Sequence, residues 1–397
     1  MSTFPWARAS PLSLPDEYTR LLAAAPVSRH QLDSGRHVWV VAGHHLFRKA
    51  LLDPAMSADH AHPAYPTMTP VRRSRPGGGP QPKRGYSGMD PPEHTVHRRL
   101  ISAMFSDMAA ERLRPTVRRI VSRQLDAFSC GPNPADLVTG FADRVPAMVI
   151  AEVLGMGQRD RLAHLSRLLV DRHADPVEVA GASTEIRARI AEEVCAAERS
   201  GAGGTLLGRM VGRYRRTPHY DRDQVVELVG SLIIAGTTTT ANMISLGVLA
   251  LLRHPDQLAA LRANPALVPM AVDELLRYLS IADLVTARVT TASVRLGDVV
   301  IPGDEGVVFC GAAANHDPRV FERPARLDIH RDARRHVAFG YGVHRCIGQH
   351  LARIELAEAF GQIFRRFPGM RPAGSAPMPR SRDRAALHGL TELVVTW

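Results

Sequence analysis

Phe339-Gly340-Tyr341-Gly342-Val343-His344-Arg345-Cys346-Ile347-Gly348 runs directly into QHLARIELAEAF at 349–360, where apolar residues recur with helical spacing. Two glycines ahead of the cysteine permit a tight backbone turn that can lie against a flat ligand. Gly348 allows a close approach where the helix begins. Cys346 therefore falls beside a helix N-terminus, whose dipole and free N–H groups favour a thiolate. A lone thiolate held in this way suits a single axial bond to iron. The remaining cysteines, Cys130, Cys195 and Cys310, lie far apart with no paired spacing. That argues against a disulfide framework or a zinc site and fits a reducing compartment.

Working outward, 397 residues suffice for a large core, and the 45% hydrophobic share is ordinary for a globular protein. The formal charge of +11 invites a nucleic-acid reading. Only Lys49 and Lys83 are lysines, however, and no basic stripe interleaved with aromatics accompanies the arginines. Nucleic acid is not the expected partner; an acidic protein is. The first residues, MSTFPWARASPLSLPDEY, show no basic segment followed by an apolar one, so no secretory signal is read and a cytoplasmic enzyme is expected.

Residues 26–41 read as two short strands around an Asp-Ser-Gly turn. Residues 60–88, rich in Pro, Gly and Arg, read as a long irregular loop, with Arg72, Arg73 and Arg75 read as solvated in preference to contacts for an acidic substrate. Helical patterns dominate from Pro92 to about Ala263, with breaks at Gly131–Pro134, Gly201–Gly204 and Thr217–Pro218. Short strands follow Arg288, then a helix from about Gly348 to Arg366 and a strand in the tail LTELVVTW. Asp221 can cap a helix that His254-Pro255 ends, roughly 50 Å long. Its middle is apolar nearly all round, but Glu227, Asn242 and Thr237 to Thr240 suit a buried core helix rather than a membrane span.

Three further motifs carry chemistry. Glu274 and Arg277 sit at i, i+3 on one helix face, where they can pair. Ala235-Gly236-Thr237-Thr238-Thr239-Thr240 places a helix-weakening glycine beside hydroxyls that can take over backbone hydrogen bonds and open a groove. His94 and Arg98, at i, i+4 in MDPPEHTVHR, can clamp one carboxylate.

Together these strings resemble the cytochrome P450 family over essentially the whole chain, with F-G-x-G-x-x-x-C-x-G matched at every fixed position from Phe339 through Gly340 and Cys346 to Gly348. The resemblance implies a single domain over residues 1–397, mainly α with small β-sheets, and heme between the long central helix and the cysteine-loop helix. It implies heme b bound through the Cys346 thiolate, with His94, Arg98, Arg288, His336, Phe339, Gly340, Arg345 and Gly348 around the cofactor. Glu274 and Arg277 form a structural ion pair, joined by Arg326 or Arg331. Ala235, Gly236, Thr238 and Thr239 lie at the oxygen side, with Thr239 as the proton-handling threonine. At Thr238 the family pattern has an acid, and this chain departs from it.

The function so implied is a monooxygenase that hydroxylates or epoxidises a small molecule, in antibiotic or other natural-product tailoring, as similar soluble actinobacterial members do. A non-hydroxylating outcome such as ring coupling, nitration or desaturation is an alternative because of Thr238, and a peroxide-driven enzyme is another. Electrons would come from an acidic ferredoxin with its NAD(P)H-dependent reductase, docking on Arg334, Arg335, Arg345 and Arg353. The substrate pocket is expected from residues 60–88, 165–185, 233–239, 281–286 and 388–390, in a monomer.

Overall fold

The computed structural model describes residues 4–32, 34–66, 85–157, 159–170, 175–200, 204–374 and 387–397, the side chains of 159, 160, 163, 167, 170 and 176 excepted. Residues 67–84 of the long loop, with Arg72, Arg73 and Arg75, lie outside the described residues. In chain order the helices are α1 (Asp16–Ala24), α2 (His44–Ala50), α3 (Glu93–Ser102), α4 (Asp107–Ser129), α5 (Arg144–Leu154), α6 (Arg159–Val170), α7 (Pro176–Ser200), α8 (Leu206–Tyr214), α9 (Arg222–Arg253), α10 (Pro255–Ala263), α11 (Val268–Leu279), α12 (Gly311–Asn315) and α13 (Gln349–Arg366). The strands are β1 (Val27–Gln31), β2 (His37–Val41), β3 (Met56–Ser57), β4 (Ala135–Asp136), β5 (Leu284–Thr290), β6 (Val294–Leu296), β7 (Val299–Ile301), β8 (Gly306–Cys310), β9 (Arg371–Pro372) and β10 (Val394–Thr396). The protein is mainly α with small sheets, as its sequence suggests.

These elements divide between two compact units, the first made of Met1–Gly79, Leu246–Cys346 and Gly374–Thr391, the second of Pro80–Ser245, Ile347–Ala373 and Glu392–Trp397. In the first, a five-stranded sheet has the order β1-β2-β8-β5-β3. The period-2 alternation of a strand explains its two-sided burial. Val38 and Val40 of β2, with Val308 and Cys310 of β8, face a core built on Tyr18, Leu21 and Leu22 of α1. Val41, Val307 and Phe309 face the opposite core with Phe47 of α2. Because both faces are covered, β8 reads as the unbroken apolar run Gly-Val-Val-Phe-Cys.

In the second unit α4 packs along α13. Glu358 of α13 accepts from Arg114 at 3.2 Å and from Arg118 at 3.0 Å. Ser106 Oγ accepts from Ala109 N–H at the start of α4, a cap that divides α3 from α4 where the sequence reading saw continuous helix. A small sheet, β4-β10-β9, ties the chain's last residues to residues 135–136.

α9 follows the sequence expectation. Asp221 Oδ1 accepts from Gln224 N–H at 3.1 Å, and the helix runs 32 residues to the residue before His254. It is the helix among the described residues long and apolar enough to cross a membrane, yet 78% of its most apolar stretch is buried, which makes it a core helix.

Candidate active site

The cysteine loop belongs to the first unit. Gly340 and Gly342 adopt φ of +70° and +73°, the left-handed region that favours glycine. A Cβ on Gly342 would stand 2.6 Å from Leu51 O, so no side chain fits there. Between these glycines and the cysteine lies one 3-10 turn, Gly342–His344, and Cys346 N–H donates to Phe339 O at 2.8 Å. The backbone thus closes on itself from Phe339 to Cys346 and leaves the cysteine exposed. Arg48 steadies the rim, stacked 4.4 Å from the Tyr341 ring and donating to its hydroxyl at 2.7 Å. α13 begins three residues after Cys346, with Gly348 at its N-cap. A donor set of one exposed sulfur on a glycine-shaped loop fits the axial position of an iron porphyrin.

Glu274 and Arg277 are fully buried and joined by two bonds of 2.8 and 2.7 Å, a bidentate pair. The third member is Arg331, whose Nε lies 3.2 Å from Glu274. Among the described residues, Arg326 contributes its carbonyl, to Arg277 and Arg331. Asp328 N–H donates to the same carboxylate at 2.9 Å, and Arg277 donates to Asn315 O and Pro324 O at 3.0 and 2.9 Å. Breaking such a buried pair costs about 3–5 kcal/mol, because the remaining charge is stranded.

Arg288 is buried on β5, its guanidinium held to its own strand by Thr286 Oγ1 and Ala287 O, each at 2.6 Å. Val285 of the same strand lies against Gly340, 3.7 Å from where a Cβ would be. His336 is buried, its ring 5.6 Å from that of Phe339. Its Nδ1 accepts from Ala338 N–H at 3.1 Å, so Nε2 carries the proton and points to Asp273 at 3.4 Å. Of the arginines expected to face a redox partner, Arg334 is paired with Asp332 by two 2.8 Å bonds, and Arg353 reaches Gln349 O and Oε1 at 3.4 and 3.3 Å.

In the second unit, α9 is buried at every residue from Leu232 to Ser245 except Ile234, Ala235, Gly236 and Thr239. These open one face of an otherwise enclosed stretch of the helix. The hydroxyls of Thr237 and Thr239 bond back to Ile233 O and to Ala235 O, the latter at 2.6 Å. Thr238 is 6% exposed, and its Oγ1 has no hydrogen-bond partner among the described residues. The helix runs unbroken through Gly236, so the opening comes from small side chains rather than a break.

His94 of α3 is buried and stacked against Tyr86 at 6.1 Å, with Arg98 one turn on and half-buried. α8 fixes α3 through two side chains: Tyr214 hydroxyl lies 3.0 Å from His97 Nδ1, and Arg213 donates to Leu100 O at 3.2 Å. Burial lowers the His97 pKa and raises that of Tyr214. Sequence reasoning missed this pair, as well as Asn315 and Glu355. Glu355 had a readable signal, since it shares a helix stripe with Leu351 and Ala359. For His97 with Tyr214, and for Asn315, no local pattern announced the partner.

Comparison with known proteins gives the same picture. A family model described as cytochrome P450 matches residues 205–388. The chain is 40% identical to cytochrome P450 105A3 of Streptomyces carbophilus, over 99% of this chain and 95% of that one. It is 41% identical to pentalenic acid synthase of Streptomyces avermitilis, over 99% and 97%. The crystal structure of GfsF, from Streptomyces halstedii, superposes with a TM-score of 0.93 at 35% identity over the whole of both chains. That of the mycinamicin VIII methyl hydroxylase MycCI from Micromonospora griseorubida, bound to mycinamicin VIII, does so with a TM-score of 0.90 at 34% identity, again over all of both chains.

Proposed function

Because the chain belongs to the cytochrome P450 family, and is a monooxygenase of it, we propose that it hydroxylates or epoxidises a small organic molecule in the tailoring of a natural product. Heme is the family's cofactor, and the observation that carries our reading is the loop that ends in Cys346. Its backbone hydrogen bonds hold one exposed cysteine beside a helix start, where a thiolate is favoured. Bound there, heme b supplies oxygen activation.

In the family pattern His94, Arg98, Arg288 and His336 are the residues that serve the heme carboxylates, and Arg345 lies around the cofactor. Each arginine brings a permanent charge and a planar fork of donors. To join them, the His336 Nε2–H has to turn away from Asp273. Phe339, Gly340 and Gly348 shape the backbone around the cofactor. Thr239 works at the opening of α9: its hydroxyl proton, now on Ala235 O, can be re-aimed at a partner presented there. Ala235 and Gly236 keep that opening clear.

Thr238 stands where the family pattern has an acid, and a hydroxyl does not release a proton near neutral pH. Proton delivery is therefore slower or routed through water. This favours, as a second reading, an outcome other than hydroxylation. Electrons arrive one at a time from an acidic ferredoxin and its NAD(P)H-dependent reductase. It meets a basic face of Arg335, Arg345 and Arg353, with Arg334 contributing less because Asp332 offsets its charge. The enzyme works as a cytoplasmic monomer and as a single domain.

The test is spectroscopic. Reduced protein loaded with heme and exposed to carbon monoxide should show the red-shifted band that thiolate ligation produces, and Cys346→Ala should abolish it. A heme-loaded protein without the band, or its persistence in the variant, overturns the reading.

A further inference from the structure

We propose that Asn315 is a positioning residue, whose side-chain amide sets the spacing between the chain segment leading to Cys346 and the segment leading to Arg288. The inference rests on the reading of Cys346 as the iron ligand and adds a residue that no family motif quoted above contains. Asn315 closes α12 and is fully buried. Its Oδ1 accepts from Val337 N–H at 2.7 Å, two residues before Phe339 opens the cysteine loop. Its Nδ2 donates to Ser280 Oγ at 2.9 Å. Ser280 ends α11 in the left-handed conformation, φ 40°, and passes its own hydroxyl proton to Arg277 O at 2.7 Å. The chain then enters residues 281–290, which include β5 and Arg288.

One planar group therefore holds two segments by opposite ends. A neutral amide offers an acceptor and a donor at that separation; an ionised carboxylate keeps the acceptor alone, and an alkyl chain has neither. Two other contacts pin the approach to the loop: His44 Nε2 lies 2.9 Å from Arg335 O, and Asp273 lies 3.4 Å from the His336 ring. Asn315 is also tied to the Glu274–Arg277 pair, since its carbonyl accepts from Arg277 Nη1 at 3.0 Å. Removing the amide strands a buried N–H and loosens a buried hydroxyl at once.

The experiment is hydrogen exchange on the heme-loaded protein, read by peptide, alongside the carbon monoxide spectrum. In Asn315→Leu, exchange at Val337 should rise at least about tenfold, as should exchange in residues 280–286. The hairpin of β1 and β2 should stay as in wild type, and part of the carbon monoxide complex should lose the thiolate band. Asn315→Asp, which retains the acceptor, should restore protection at Val337. Ser280→Ala should loosen 280–286 while leaving Val337 protected, so these two variants decide the matter even if Asn315→Leu does not fold. Exchange that rises equally in the hairpin and the loop, or does not rise at Val337, overturns the proposal. A wild type lacking the thiolate band sinks the ligand assignment instead, and the exchange arm still reads the role of Asn315.

Discussion

Glu355 lies among apolar side chains on α13, 4% exposed, and burial pushes its carboxyl well above the usual range. The folded protein thus keeps a proton that the unfolded chain releases near pH ~4. Stability accordingly falls as pH rises from that point toward the raised folded value. Glu355→Gln removes the titration, so it should melt above wild type at neutral pH, with the advantage shrinking on acidification; parallel melting curves across pH would disprove the buried acid. Thr238 makes the second residue-scale prediction. Thr238→Glu should raise the fraction of electrons that end in product, and an unchanged fraction would show that the missing acid has no consequence. The Glu274–Arg277 pair was legible in the sequence because its spacing is local, and Cys346 and Thr239 stood out as candidates for the same reason. Arg331 was narrowed to two candidates and needed the fold to separate it from Arg326. Asn315 was invisible, since its partners at Ser280 and Val337 are neighbours only after folding.

Elements with strong periodicity, α9 and α13, were read to within a residue or so of their ends. The cap at Ser106 was overlooked because the apolar spacing continues across it. The cysteine loop is the element whose geometry is most demanding. Gly340 has room for a Cβ and pays only for its left-handed backbone, whereas Gly342 meets Leu51 O at 2.6 Å as well. Gly340→Ala should therefore cost about 1 kcal/mol, and Gly342→Ala roughly 2–3 kcal/mol. Chemical denaturation checks the ranking, and equal losses would mean that the Leu51 contact relaxes freely.

For the whole molecule, a formal charge of +11 carried mostly by arginine sets the terms of association. Exposed charges are screened beyond a Debye length, about 8–10 Å at physiological salt. Transfer of electrons from an acidic ferredoxin should then slow steeply as ionic strength rises, while carbon monoxide binding stays level. A rate indifferent to salt would remove the basic-face reading. Fold class was plain from the alternation of patterns. The order of the main sheet was not, because β2 pairs in parallel with β8, distant in the chain, and no local signal selects that partner.

The C-terminal strand has a consequence for synthesis. β10 supplies the central strand of its sheet, Asn133 donates to Trp397 O at 2.9 Å, and the Trp397 indole packs on Phe128 and Phe367 at 4.9 and 5.1 Å. A nascent chain cannot finish its second unit while residue 397 is still inside the ribosome. Until residues 394–397 have emerged, Phe128 and Phe367 wait without the Trp397 indole, a window in which chaperones have something to hold.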